Sequence, residues 1–354
     1  MSLMQAAADQ ACSGGGRTAT LLPGGGDDVE LEIWQVDAFT SVPFGGNPAG
    51  VVPDARGLDE DLMQKIAREM NVSETAFVLA GASDDSPEPG GPRPALPVRF
   101  FTPTTEVDLC GHATIATFFA LALRNRLPSR RNTSTEDPGQ LVCYQHTRAG
   151  ALPVQVLLDD DGHPARVMMA QVPPASRGEP GSEAVAELAA ALGAEVALLG
   201  EDPRATPEIV STGLWDLIVP LPDRKTLWSL EPDFGRLARL CRRLQVVSVH
   251  CFTFDALDTG DGGEIAAHCR DFAPAVGISE EAATGTASGA LGGYLALRGL
   301  IPFYDGVARL RCEQGHIMGR PSLIHVRLEA FPEGPPRVWV GGAARLVLEG
   351  KILL

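Results

Sequence analysis

One stretch of the chain returns, without a gap, in its second half. Shifting the sequence by 174 positions lays residues 110–128, CGHATIATFFALALRNRLP, over residues 284–302, TGTASGALGGYLALRGLIP. Gly111 meets Gly285, Ala113 meets Ala287, and Ala116 meets Ala290. The run Leu121-Ala122-Leu123-Arg124 meets Leu295-Ala296-Leu297-Arg298, and Pro128 meets Pro302. Upstream, RFFTP ending at Pro103 echoes RDFAP ending at Pro274 after a three-residue insertion. Two Ala/Leu-rich helices can look alike by composition. Composition does not also reproduce the glycine at the start, the arginine at the end and the proline beyond. A duplication constrains the fold strongly, because both copies must form the same local structure and then pack together.

Each unit predicts a strand, a loop, a glycine, a helix and a stop. The helix after Gly111 is apolar almost all round through Leu123, the pattern of a helix buried on every side. Arg124 and Asn125 suit a negative helix end, and Pro128 forbids continuation. Around these helices lie many short strand candidates with turn signals, among them LEIWQVDAF, ETAFVLAG, LPVQVLL, QVVSVHCFTF, SLIHVRLE and RVWVGG. DEDLMQKIAREM predicts one further amphipathic helix, with Leu62, Met63, Ile66, Ala67 and Met70 on one face. The expected architecture is two similar halves, each a curved sheet wrapped around one buried helix, joined near residue 150. Residues 1–29, with two glycine triplets and no periodicity, predict an unstructured extension, and GASDDSPEPGGPRPALP predicts an exposed loop.

The two Gly-led segments are then helix N-termini. Such an end carries about half a positive charge and several free N–H donors, so it suits a carboxylate or oxyanion. If the halves turn these ends toward each other, the cleft between them is the expected ligand site. Four side chains near it can move protons. Glu74 shares a strand face with Val72, Ala76 and Val78, while Phe77 and Leu79 occupy the other face, so the acid interrupts a strand that reads as buried on both sides. A glutamate in apolar surroundings can serve as an acid or base near neutral pH; the plainer role is a surface residue at a strand end. His112 stands in the first turn of its helix and could do no more than cap it. Glu280 and Glu281 precede the Gly285 turn, as a second acid across the cleft or as a complement to the helix dipole. Cys110 fits an inert, buried cysteine better than a nucleophile. A metal at Cys110 and His112 is not expected, because no further ligands stand at recognisable spacing.

Composition sets outer limits. A net charge of -16 over 354 residues argues against nucleic acid or an anionic membrane as partner, and no apolar run reaches membrane-spanning length. The seven cysteines are odd in number and form no CxxC pair. A disulfide framework or zinc site is therefore not expected, and a reducing cytoplasm is.

Four segments together resemble the PhzF-like family of phenazine-biosynthesis isomerases: VDAFTSVPFGGNPAGVV (36–52), NVSETAFVL (71–79), FFTPTTEVDLCGHAT (100–114) and FAPAVGISEEAATGTASGAL (272–291). The wider superfamily includes diaminopimelate epimerase and proline racemase. The resemblance implies an α+β, duplicated two-domain diaminopimelate epimerase-like fold, each half a β-barrel-like sheet around a central helix. It divides the chain into 30–150 and 151–337, with strand 338–354 returning to the first half. It also implies a cofactor-free, metal-free isomerase that moves a proton between carbons of a small carboxylate-bearing molecule, in a homodimer. By the family's pattern the catalytic glutamate falls on Glu74, and the histidine, in a substrate-contact or relay role, on His112. The family's aspartate falls on Glu281, its serine on Thr286, and its substrate-facing glycines on Gly111 and Gly285. Three departures stand out: Glu281 for the aspartate, Ala282 for the following proline, and Thr286 for the serine. The epimerase branch needs two opposed cysteines. Cys110 matches the first and Thr284 stands at the second, which disfavours two-cysteine racemisation. An epimerase or a non-catalytic, protein-binding scaffold are the alternatives.

Overall fold

The computed structural model describes residues 30–79, 95–128, 130–131, 139–258 and 264–354. The expected extension 1–29 and residues 81–94 of the expected loop lie outside the described residues. The first elements are β1 (Glu30–Ala38), β2 (Asn47–Val52), α1 (Glu60–Met70), β3 (Glu74–Val78), β4 (Ala95–Phe101), β5 (Glu106–Val107) and α2 (Gly111–Leu123). Next come β6 (Arg130–Arg131), β7 (Gln140–Thr147), β8 (Gly150–Leu158), β9 (Pro164–Ala170), β10 (Ala175–Gly178), α3 (Ser182–Leu192), β11 (Glu208–Ser211) and β12 (Trp215–Pro220). The remainder is α4 (Arg224–Trp228), α5 (Phe234–Leu244), β13 (Ser248–Thr253), β14 (Ile265–Ala273), β15 (Ile278–Glu281), α6 (Gly285–Leu297), β16 (Val307–Gln314), β17 (Ser322–Glu329), β18 (Arg337–Gly342) and β19 (Ala344–Leu353). All of these strands belong to one hydrogen-bonded network.

The repeat is visible atom by atom. In α2 every residue from His112 to Leu121 is buried, and in α6 every residue from Ala287 to Leu295. At their heads, Thr114 N bonds to Cys110 O at 3.0 Å and Ser288 N to Thr284 O at 3.0 Å. At their ends, Asn125 (φ 54°) and Gly299 (φ 66°) occupy the left-handed conformation. Each is followed by a closing bond, Arg126 N to Leu121 O and Leu300 N to Leu295 O, both 2.8 Å. That pairing is the Schellman stop, which satisfies carbonyls a helix end would otherwise leave bare.

The strand pairings repeat as well. β2–β3 is parallel across α1, β3–β4 antiparallel, β4–β7 parallel across α2, and β7–β8–β9 antiparallel. In the same order, β12–β13 is parallel across α4 and α5, β13–β14 antiparallel, β14–β16 parallel across α6, and β16–β17–β18 antiparallel. α2 packs on β1, β2, β3, β8, β9 and β19, and α6 on β11, β12, β13, β17 and β18. The ladders meet at β9–β18. Each copy is completed by a strand that the chain contributes after leaving the other: β19 pairs with β1, and β10 with β11.

The join expected near residue 150 falls in a hairpin. β7 and β8 flank it as partners, and β8 and β9 continue the same ladder. Strand periodicity shows that a hairpin forms but not which helix its ladder covers. Of the C-terminal segment, β18 pairs with β17 and β9, and β19 pairs with β1. The six cysteines among the described residues are free and buried. No helix among those residues is long and apolar enough to cross a membrane.

Candidate active site

Glu74 is the first residue of β3. α1 ends at Asn71 in the left-handed conformation (φ 50°), and the chain turns there into the strand. The glutamate does not face solvent as a strand-end acid would: its side chain is 15% exposed, and Oε2 lies 3.0 Å from Nε2 of His112, itself 8% exposed. The geometry is that of an ion pair rather than of a well-aligned hydrogen bond, since Oε2 has no directed partner. Cys110, just outside α2, brings its Sγ to 3.4 Å from His112 Nδ1.

Burial and charge act against each other here. Burial alone raises the Glu74 carboxyl, but the His112 charge and contact, with the Cys110 thiol, hold it below the usual range. Burial alone lowers His112, yet Cys110 and Glu74 outweigh it and hold the imidazole well above its ordinary value. Burial and the Glu74 charge push the Cys110 thiol up, so Cys110 stays a neutral thiol and Glu74 is the counter-ion of the imidazolium. Charge and contact in the site thus favour the ionised form of Glu74 and the protonated form of His112.

Glu281 reaches the same place from the end of β15. Asn47, buried at the start of β2, donates from one amide nitrogen to Glu281 Oε2 at 2.8 Å and to Ala283 O at 3.1 Å. Ser73, the residue before Glu74, donates to Asn47 Oδ1 at 3.4 Å. Burial, opposed by His112 and reinforced by Glu74 and Asp271, raises the Glu281 carboxyl to about 7. Two carboxyl groups of ordinary type therefore sit in one site with their proton affinities pushed apart.

Asn47 was not singled out from the sequence, although it lies in the quoted GGNP stretch. Its position is enforced. Arg320 donates to Asp37 Oδ1 (2.9 Å), Gly45 O (2.7 Å) and Gly46 O (2.8 Å), fastening the loop before Asn47 to the loop before β17. Gly46 has φ 60°, and a Cβ there would stand 2.1 Å from Ala38 O, so only glycine permits the turn.

The two candidate substrate-facing glycines differ. A Cβ on Gly111 would meet only the Met169 methyl at 3.8 Å, leaving the head of α2 open to a ligand. A Cβ on Gly285 would stand 3.2 Å from Phe39 and 3.4 Å from Val340, so that glycine also serves packing. Thr286 is half-buried in the first turn of α6, its carbonyl accepting from Thr212 Oγ1 at 3.3 Å. Glu280 turns away to pair with Arg270 at 2.9 Å. Ligand atoms of Glu74, Cys110 and His112 lie within 4.8 Å of one another and could hold a thiophilic divalent cation. An open hollow lined by Phe254, Ile265, Ala266 and Leu300 contains none of these groups and no acid, base or nucleophile.

A family model described as phenazine biosynthesis-like protein matches residues 36–350. A Deinococcus radiodurans protein described as an uncharacterized isomerase is 40% identical over 322 residues, 89% of this chain and 92% of its own. The trans-2,3-dihydro-3-hydroxyanthranilate isomerase of Pseudomonas fluorescens is 33% identical over 320 residues, 90% of this chain and 98% of its own. Among solved structures, the Bacillus anthracis phenazine biosynthesis protein of the PhzF family matches with a TM-score of 0.75 at 31% identity, covering 92% of this chain and 100% of that one.

Proposed function

The chain belongs to the phenazine biosynthesis-like, PhzF family, whose relatives are isomerases, and from that premise we propose that it moves a proton between carbons of a small carboxylate-bearing molecule by acid–base catalysis, without a cofactor. The observation that carries this reading is the separation of Glu74 from Glu281. An acid and a base in one site are useful when their surroundings hold them in opposite protonation states. Glu74, kept ionised by His112, takes the proton from carbon. Glu281, raised to about 7, holds a proton to return. His112 stabilises the charge on Glu74 and can pass its own proton on. The first-turn amides of α2 and α6, at Gly111, Gly285 and Thr286, offer donors to the substrate carboxylate. Two-thiol racemisation lacks a second thiol, since the counterpart of Cys110 is Thr284.

The same proposal takes the repeated ladders as two barrel-like sheets, each around its own helix, with the cleft between the helix heads, and the chain as a homodimer, measurable by sedimentation. The test of function is proton exchange in heavy water. Trans-2,3-dihydro-3-hydroxyanthranilate, taken from the name of the Pseudomonas relative, and small unsaturated carboxylates are incubated with the protein and followed by NMR. Deuterium should enter at carbon, and Glu74→Gln should cut the rate about a hundredfold or more. Exchange that survives Glu74→Gln at the parent rate refutes the assignment.

A further inference from the structure

Behind the head of α6 lies a second set of ionisable groups that the chemistry above does not use. Asp216 of β12 stands opposite Ser248 of β13, and His250 of β13 opposite Asp271 of β14. None of the four is more than 2% exposed. They interrupt strands otherwise filled by Leu217, Ile218, Val249, Cys251 and Phe272, where polar groups are costly unless bonded.

Counting protons fixes how they are bonded. Ser248 Oγ lies 2.9 Å from Asp216 Oδ1 and 2.8 Å from Asp271 Oδ1. A hydroxyl has one hydrogen and a carboxylate none, so one of the two acids must bring a proton of its own. Asp271 is well supplied with donors. Besides Ser248, His250 Nδ1 stands 3.1 Å from Oδ1, and Thr284 Oγ1 donates to Oδ2 at 3.1 Å. Asp216 meets Ser248 alone, and its Oδ2 has no partner. Asp216 is therefore the neutral acid, its hydroxyl donating to Ser248 while Ser248 donates to Asp271. Burial and the Asp271 charge push Asp216 well above the usual range, in agreement. Cys241 of α5, pushed up to about 12 by burial and the Asp271 charge, stays a neutral thiol beside both aspartates.

Donors thus converge on buried Asp271, and one of them reaches the cleft. Thr284 precedes α6, is half-buried, and is the counterpart of Cys110 in the repeat. The adjoining Ala283 carbonyl is held by the same Asn47 nitrogen that holds Glu281. Gln314 fixes the hydroxyl from the other side. It donates to Thr284 Oγ1 at 3.0 Å and Glu281 O at 2.9 Å, and accepts from Thr284 N at 3.2 Å.

We propose that Asp271 is a proton-accepting group of the cleft, reached through the Thr284 hydroxyl and kept ready to receive by Ser248 and neutral Asp216. In the step, a donor in the cleft gives its proton to Thr284 Oγ1 as the threonine's own proton passes to Asp271 Oδ2. One O–H bond forms and one breaks at Thr284, the cleft loses one proton, and Asp271 becomes neutral; the return reverses each transfer. The donor in this step is Glu281 in its acid form, which stands opposite Asp271 in the β14–β15 pairing. The purpose of this relay rests on the proton-transfer function proposed above. Its test reads the relay without turnover, so it can fail while the Glu74 assignment stands, and the reverse.

The experiment is infrared spectroscopy of the full chain at pH 7, following the carbonyl band of a protonated carboxyl group and its downshift after transfer to heavy water. A protonated-aspartate band should stand beside that of Glu281 and should vanish in Asp216→Asn, which keeps a donor to Ser248 but no acid. If that variant does not fold, carboxyl-13C aspartate assigns the band, because it moves aspartate bands and leaves glutamate bands in place. Deuterium arriving along the relay should reach the band at least tenfold more slowly in Thr284→Val than in the parent, and Thr284→Ser should restore the parent rate. No protonated aspartate band, or equal exchange rates in the parent and Thr284→Val, overturns the proposal and leaves the four residues as a buried structural network.

Discussion

Glu281→Gln should change how the stability of the protein depends on pH, in a direction that its surroundings dictate. The substitution is nearly isosteric, leaves an oxygen to accept from Asn47, and removes only the ionisable group. In the folded chain the carboxyl is raised from an ordinary 4.5 to about 7, first by burial and then by the Glu74 and Asp271 charges. Folding therefore favours the protonated form. The stabilisation is fully present below pH 4.5 and is lost as pH rises through about 7. Each pH unit between the two values corresponds to about 1.4 kcal/mol, so the parent loses about 3 kcal/mol in all, about 2 of it between pH 5 and 7. The glutamine variant has no such term. Glu74, held low, loses its contribution only as pH falls below the ordinary carboxylate range, outside this window. His112, held high, loses stability as pH rises above its ordinary 6.5, but does so in both proteins and cancels to first order in their difference. The assay is urea unfolding of both proteins at pH 5, 6, 7 and 8, with the slopes checked for equality. The variant should gain on the parent by about 2 kcal/mol or more across the series. A difference independent of pH would mean that Glu281 is solvated and would remove the acid from the proposed mechanism.

Other perturbations probe separate parts of the site. Turnover should fall above about pH 7 as Glu281 loses its proton, and that limb should be absent from the pH–rate profile of Glu281→Gln. Asn47→Ala removes a bond that favours ionised Glu281, so the same limb should move to higher pH; an unmoved limb would contradict the contact. Cys110→Ala should keep most activity, because the thiol is buried and neutral; complete loss with normal unfolding would restore a cysteine mechanism. Gly46→Ala should cost more than about 2 kcal/mol in denaturant unfolding, since its Cβ would collide with Ala38 O and φ is positive.

What the sequence disclosed depended on how local each signal was. The heads and ends of α2 and α6 were legible because glycine, arginine and the residues after them act within one turn, and the paired closing bonds at Arg126 and Leu300 follow from that spacing. α1 was legible from its apolar stripe, and the structure adds an Asp59 cap. α5 has an equally clear stripe through Leu237, Ala238, Leu240 and Cys241 with Asp233 as cap, a signal available but not used. α3, rich in alanine, gave a weaker one. Glu74, His112 and Glu281 stood out by strand pattern and position near the helix heads, and again by motif resemblance, and they share one electrostatic environment. Asn47 and Asp271 were not found, because their roles come from contacts across ladders: Asn47 with Glu281, and Asp271 with Ser248 and Thr284. Register between strands far apart in sequence is set by packing, and a single strand does not record its neighbour.

The duplication explains why the two acids need not be equivalent. Both helix heads have the same backbone form, down to matching first-turn bonds at Thr114 and Ser288, so both offer the same donors to an anion. The side chains around them have diverged. The first head has a titratable His112 and a thiol, and the cation it holds keeps Glu74 ionised. The second has hydroxyls, Thr284 and Thr286, where the first has Cys110 and His112, and burial, with the Glu74 and Asp271 charges, raises Glu281 there. Two acids in identical settings would compete for one proton and titrate as a coupled pair. A cation beside Glu74 and burial about Glu281 favour a base and an acid before any substrate arrives. On this account, removing a neighbouring charge should move the titration of the acid it faces. Asp271→Asn, which removes the anion behind Glu281, should lower the Glu281 titration and move the alkaline limb of the pH–rate profile to lower pH. His112→Gln, which removes the cation beside Glu74, should raise the Glu74 titration and bring the acid limb upward. If either limb stays in place, the asymmetry arises from burial alone and the charges behind the helix heads do not select the direction.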